Sequence, residues 1–204
     1  NRFFATVELI NKTWIDVGFV GVVVSYIGPK GEDSTGADYK HGELVERGYR
    51  GVWREPMMPG KYAFNTYAGK IVMVPTTNII LKWISDQTGS HMFDENLKEV
   101  SLITKDAFEP SLPLSVVMHI DYKKAPLVIQ RFGDIKMLVD QTLDPMVSAY
   151  FKNIGQTKTL IQIIQERNEI QAHSSSEMKL KFEHYNLELE EVLIGTPEAS
   201  KNDN

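Results

Sequence analysis

The sequence predicts an α+β fold, and three observations carry that prediction. Short runs rich in β-branched and aromatic residues, punctuated by Gly and Pro, occupy residues 14–96. From residue 124 the apolar period becomes helical, and it returns to strand-like alternation over Leu187–Ile194. A β-rich segment followed by strand, strand, helices and strand is the order of an α+β chain, not of repeating βαβ units.

Residues 1–16 read as a lead, 17–96 as a β-rich first subdomain, 97–195 as a second subdomain and 196–204 as a polar tail. The start at Asn1 and the polar end Pro197–Asn204 look like boundaries within a longer protein. Arg2–Leu9 shows no clear period. Gly89-Ser-His-Met92 has the look of an expression remnant in mid-chain, which leaves a native loop and a junction of two segments both open.

Gly18–Ile27 carries Val20, Val22, Val23 and Val24, the pattern of a short strand buried on both faces. The polar loop Gly28–Asp38 contains glycines, but a phosphate cradle needs Gly-Lys-Ser/Thr running into a helix. Glu32 and Asp33 would also repel phosphate, so an ordinary surface loop is expected. Val45–Tyr67 reads as two strands joined by a turn. Val52-Trp53 precede Pro56, the chain reverses at Pro59-Gly60 with Gly60 at positive φ, and Tyr62 and Phe64 alternate beyond it. Lys70–Pro75 continues as a strand. In Thr77–Ile84, Ile79, Leu81 and Trp83 share one face, and Gln87–Asn96 is polar and turn-like.

Leu97–Thr104, with Val100, Leu102 and Thr104 on one face, is expected to form a hairpin with Leu112–Asp121 around Lys105-Asp106. Ala107 stands where the favoured tight turn has Gly, so a longer or non-primed turn is expected. Pro110 and Pro113 suggest an edge or bulged start to the second strand. Among the helices, Pro126 suits a first helical position and Gly133 an ending. Asp134 suits the cap of a second helix carrying Ile135, Leu138 and Val139. Asp144-Pro145 repeats that signal before a helix in which Met146, Tyr150 and Ile154 form one stripe, Val147 and Phe151 lie beside it, and Gly155 is the stop. Further helices carry Leu160, Ile163 and Ile164 and run past Arg167 towards Tyr185. Leu187–Ile194 closes the fold as a strand.

The chain has 204 residues, 42% of them apolar, enough for a substantial core. Its net charge of −5, from 22 basic and 27 acidic residues, is interspersed and argues against a nucleic-acid partner. It has no cysteine, so disulfides and thiolate chemistry are excluded. The longest apolar run, Trp14–Ile27 interrupted by Asp16, is shorter than the roughly 20 residues that cross a bilayer.

On a strand, His119 and Asp121 point to one face, a spacing that metal sites use. Two ligands without a third more commonly mark a cross-strand or surface pair. His173, Glu177 and His184 would share a helical stripe, but at ~1.5 Å per residue Glu177 and His184 lie about 10 Å apart, so a solvated face is the better reading. Ser174-Ser-Ser176 has no flanking glycines of a nucleophile elbow. No pattern assigns a catalytic residue, cofactor or metal site, so an enzyme is not expected. Trp53, Tyr62, Phe64 and Tyr67 could build a ligand- or peptide-binding platform, although strand spacing fits the core and rim of a small sheet better. The stripe Met146, Tyr150, Ile154 is either buried or a contact to a neighbouring subunit.

The stretch Val45–Pro75, with its arginine-glycine-hydrophobic run leading to a proline-glycine turn and a strand, resembles the stomatin–prohibitin–flotillin (SPFH, band 7) family. Val100–Phe108 is similar to that family's hairpin. Ala125-Pro126, Arg131-Phe-Gly133, Leu143–Phe151 and Gln165–Ile170 are similar to its successive helices, and Asn186–Leu193 to its last strand. The resemblance implies a non-enzymatic scaffold without catalytic residues or cofactors. Such a scaffold attaches to a membrane through an N-terminal anchor and lies in an aqueous compartment on one membrane face. It assembles into homo-oligomers or with related SPFH subunits, organises membrane microdomains, and regulates membrane proteins, including proteases, as clients. Two readings stand beside it: the aromatic binding module at Trp53–Tyr67 and a metalloenzyme or hydrolase using His119 and Asp121.

Overall fold

The computed structural model describes residues 8–36, 43–85 and 92–198. Gly89–His91, most of the lead before Leu9 and the end of the tail lie outside the described residues. The first half contributes β1 (Thr13–Ile15), β2 (Phe19–Ser25), β3 (Leu44–Val45), β4 (Gly51–Trp53), β5 (Gly60–Tyr62) and β6 (Gly69–Pro75). Four of these form a sheet in the order β3-β4-β2-β6, and β1 pairs with β5. β2 is the doubly buried strand its valines predict. Val20 and Val22 join the main core, while Val23 is equally sealed on the opposite face. That second face is tight: a Cβ on Gly21 would fall 2.6 Å from both Ile15 and Ile71 side chains.

The expected hairpin between β4 and β5 does not form. β4 runs antiparallel to β2 and parallel to β3, whereas β5 pairs with β1. Between them, Met57 exchanges two backbone hydrogen bonds with Gly21 (2.9 and 2.7 Å), so the chain follows β2 and then crosses to β1. Pro56 interrupts the ladder because it has no donor. Gly60 does take a positive φ as expected, 157, but as the first residue of β5 opposite Ile15 and not in a tight turn between β4 and β5.

The second sheet is antiparallel, in the order β11-β10-β7: β7 (Ile79–Trp83), β10 (Leu114–His119) and β11 (Glu188–Ile194). β7, which follows the first-half strands in sequence, enters this sheet with Ile79, Leu81 and Trp83 inward as predicted. β8 (Val100–Ser101) and β9 (Ser111–Leu112) form the expected hairpin in the register Val100↔Leu112. Its turn is the longer kind. Ala107 takes φ 64, Thr104 N–H donates to the Phe108 carbonyl (2.9 Å), and Phe108 N–H donates to the Thr104 hydroxyl (3.1 Å). The pairing stops at Leu112 instead of running to Asp121. Pro113 has no donor and its carbonyl accepts from Gly195 N–H (2.7 Å), which swings β10 into the other sheet.

The helices are α1 (Ala125–Phe132), α2 (Ile135–Leu138), α3 (Asp144–Thr157), α4 (Leu160–Gln165) and α5 (Arg167–His184). Asp134 caps α2 by accepting from Met137 N–H (2.7 Å), and Thr159 with Gln162 forms a reciprocal capping box on α4. The Asp106 carboxylate, held below its ordinary pKa first by the Thr104 hydroxyl, also accepts from Leu160 N–H (3.2 Å) and docks the hairpin turn on the start of α4. Two helix signals read differently in the fold. Asp144 is helical (φ −59, ψ −53) because a π-helical turn, Val139–Leu143, carries the chain from α2 directly into α3, so no cap is needed. Its carboxylate instead accepts the buried Trp83 indole N–H (2.7 Å) and the Ser148 hydroxyl (3.1 Å). Gly155 does not stop α3, which runs to Thr157. A Cβ there would lie 3.3 Å from the Ile103 carbonyl, so the glycine marks a close approach of helix to hairpin.

One hydrophobic core joins the halves, from Val20 and Val22 through Leu81 and Trp83 to Phe151, Met178 and Phe182. β11 reaches it through a bulge. Val117 faces Glu191 while Met118 faces Leu189, which leaves Glu190 as the extra residue.

Candidate functional site

Of the four aromatics in Trp53–Tyr67, none is core: Trp53, Tyr62 and Phe64 are half-buried and Tyr67 is exposed. Trp53 Nε1 donates to the Tyr49 carbonyl (3.0 Å) under the Arg47 guanidinium (5.6 Å). The Tyr62 hydroxyl donates to the Met58 carbonyl (2.7 Å) and that of Tyr67 to Glu8 (2.6 Å), which raises the Tyr67 pKa. Their polar tips are engaged locally and the rings form the rim of the β4 and β5 region.

Met146 and Ile154 are half-buried against the core, and Tyr150 is 9% exposed. Tyr150 turns towards α5, where its hydroxyl meets Glu177 and the Lys181 ammonium lies 5.7 Å from its ring centre. Burial, and then Glu177, push its pKa up to about 12. A phenol that loses its proton less readily folded than unfolded stabilises the fold fully below about pH 10, and that contribution fades as pH rises towards 12. Tyr150→Phe is therefore expected to flatten the loss of thermal stability between about pH 10 and 12. Melting curves of the two proteins across that range check it, and parallel curves would remove Tyr150 as the cause.

His119 stands opposite Glu188 on β11, and Asp121 accepts from Lys123 N–H (2.7 Å) to open the turn into α1. Among the described residues no group of three or more His, Asp or Glu side chains could hold a metal ion. His173 pairs with Glu177 (3.1 Å) on the solvated side of α5, and His184 is exposed beside Tyr185. Two of the three serines of α5 serve the fold. Buried Ser174 donates to the Gln171 carbonyl (2.9 Å), and the Ser175 hydroxyl accepts from Val192 N–H (3.2 Å). Gln171 Oε1 accepts from Ile194 N–H (3.1 Å) in the same way, so α5 closes the free edge of β11 with two side-chain acceptors.

An open cleft of about 620 Å³ lies where the flank of α5 meets the outward face of the β11-β10-β7 sheet. Gln171, Ser175 and Asn168 line one wall, and Val117, Glu190 and Glu191 the other. The alternation expected from sequence did not single these residues out. One signal was present: two adjacent glutamates separate Leu189 from Val192, and both ends of that gap point inward only if a bulge absorbs one residue. A second, apolar gap beneath α4, between Phe151, Ile163 and Ile194, offers about 10 Å³, too little for a ligand.

The profile of the SPFH domain / Band 7 family matches residues 13–202 of this chain. A search of curated proteins finds no match.

Proposed function

Because this chain belongs to the SPFH domain / Band 7 family, we propose that it is a non-enzymatic scaffold domain of a membrane-associated oligomer. The family is known for membrane-associated scaffolding and generally forms oligomers without enzymatic activity. In this reading the oligomer organises membrane microdomains and regulates membrane proteins or proteases, built from copies of this chain or from related subunits. The observation that carries the proposal is the family match across residues 13–202, which takes in every strand and helix among the described residues. Among the described residues no helix is long and apolar enough to cross a membrane. The same reading, resting on the family, places bilayer attachment in an N-terminal anchor and this domain on the aqueous side of one membrane face. We also propose residues 17–96 and 97–195 as its two subdomains, with β7 the strand through which the first enters the sheet of the second.

The full-length protein, extracted gently from its own membrane, tests this by its native mass. A particle of many subunits in the membrane fraction is the expected result. A monomer outside that fraction would overturn the proposal.

A further inference from the structure

We propose that the outward face of the β11-β10-β7 sheet is a contact between copies of this chain, an inference that rests on the oligomeric reading above. Alternation places Ile79, Leu81 and Trp83 in the core and turns Ile80 and Lys82 outward. The outward positions beside them are Val117 and Ser115 on β10, then Glu191 and Leu193 on β11. A solvent-facing sheet surface is ordinarily polar. Here Ile80 is 53% exposed and Leu193 41%, with half-buried Val117 opposite Ile80.

The edges of this sheet are not where a partner would join. On β7, Lys82 N–H donates to Asp94 (3.1 Å), and on β11 the amides of Val192 and Ile194 donate to Ser175 and Gln171. Strand addition needs free edge amides, and those of Lys82, Val192 and Ile194 are taken. The face is what remains open.

Its charges argue for a second copy as the occupant. Lys82 lies on one outer strand and Glu190 and Glu191 on the other, so the face carries opposite signs at its two sides. With strands ~4.8 Å apart and residues ~3.4 Å apart along them, consider a copy turned half a turn about an axis in the plane of the face, inclined roughly 35° to the strands. It lays Lys82 over Glu191 and Ile80 beside Val117, and each contact is made twice, as a two-fold interface requires. The face measures only about 14 by 17 Å, or ~240 Å² per copy. Stable pairs bury about 800 Å² per partner, so the contact is weak alone and forms when copies are concentrated on one membrane.

Residues 1–204 contain no cysteine, so with any cysteine elsewhere in the full-length protein replaced by serine, a cross-link between introduced ones reads the contact directly. Ile80→Cys and Val117→Cys chains, full length and co-expressed, are expected to give a covalent dimer in their membrane with a bifunctional thiol reagent that spans about 10 Å, the separation of face-packed sheets and beyond the reach of a direct disulfide. Adding Glu191→Lys to both chains should remove most of that dimer, and adding Lys82→Glu as well should restore it. Absence of the dimer while the native many-subunit particle persists would overturn this interface and leave the scaffold reading standing. So would a dimer indifferent to both charge reversals. A wild-type protein that is itself monomeric would overturn the scaffold reading, and the interface with it.

Discussion

Trp83→Ala is expected to lower stability by about 3–5 kcal/mol, the usual cost of truncating a fully buried aromatic. Trp83 has no exposed surface, and it joins β7 to α3. The indole fills the core between the sheet and the helices, and its N–H reaches Asp144 at 2.7 Å. Truncation removes the packing and leaves a cavity that Phe151 and Leu81 can only partly fill. Asp144 keeps Ser148 as a donor, so the stranded carboxylate adds little. Two companion variants separate the terms. Asp144→Ala leaves a buried indole N–H without its acceptor, for about 1–3 kcal/mol, while Trp83→Phe keeps most of the volume and removes the donor. Denaturant unfolding of the three should rank Trp83→Ala as the largest loss. If Asp144→Ala matched it, the hydrogen bond and not the packing would be the dominant link.

That hydrogen bond also marks where local reading stops. Asp134 and Asp144 carry the same sequence signal, an acidic residue just ahead of a helical stripe, yet only Asp134 is a cap. The difference lies in what precedes them. Before Asp134 the chain is non-helical at Gly133, whereas before Asp144 a π-helical turn has already set the backbone, so the Asp144 carboxylate is released to a tryptophan 61 residues away. Local propensity cannot distinguish the two, because the deciding contact is non-local.

The strands show the same division. β2 was legible because four valines in five positions fit a strand sealed on both faces, and the inward triplet of β7 followed from alternation. Which strands pair was not legible from proximity in sequence: β4 and β5 are sequence neighbours in different sheets, and β7 joins β10 across a long intervening segment. Pairing is decided by which apolar faces must be buried together. The candidate faces follow suit. Periodicity marked Met146, Tyr150 and Ile154 as a stripe that must be covered, but only the fold shows α5 lying across Tyr150. The cleft at Glu190 and Glu191 depends on a bulge that strict alternation does not express.

Gly51→Val is expected to cost about 3 kcal/mol or more, and the reason lies in the arginine-glycine-hydrophobic run itself. Gly51 takes φ 135, where a β-branched residue is strained by about 1–3 kcal/mol. A Cβ there would also fall 2.6 Å from the Glu43 carbonyl, the acceptor that Val52 N–H uses at 2.7 Å to hold β3 beside β4. The strand must move or the hydrogen bond must break, for about 1 kcal/mol. Any movement of β3 also begins to expose Leu44 and Val45, now 3% and 2% exposed. Gly48, three residues earlier, is the control: its φ is 97 but nothing lies within 4 Å of an added Cβ. Gly48→Ala should therefore show the backbone cost alone, about 1–2 kcal/mol. At about 2–4 °C per kcal/mol for a domain of this size, Gly51→Val should melt roughly 6–12 °C below the wild type and clearly below Gly48→Ala. Equal melting of the two would mean that β3 yields without cost. The glycine of the run would then serve the turn of the backbone, and the close approach of β3 to β4 would carry no weight in holding the first sheet together.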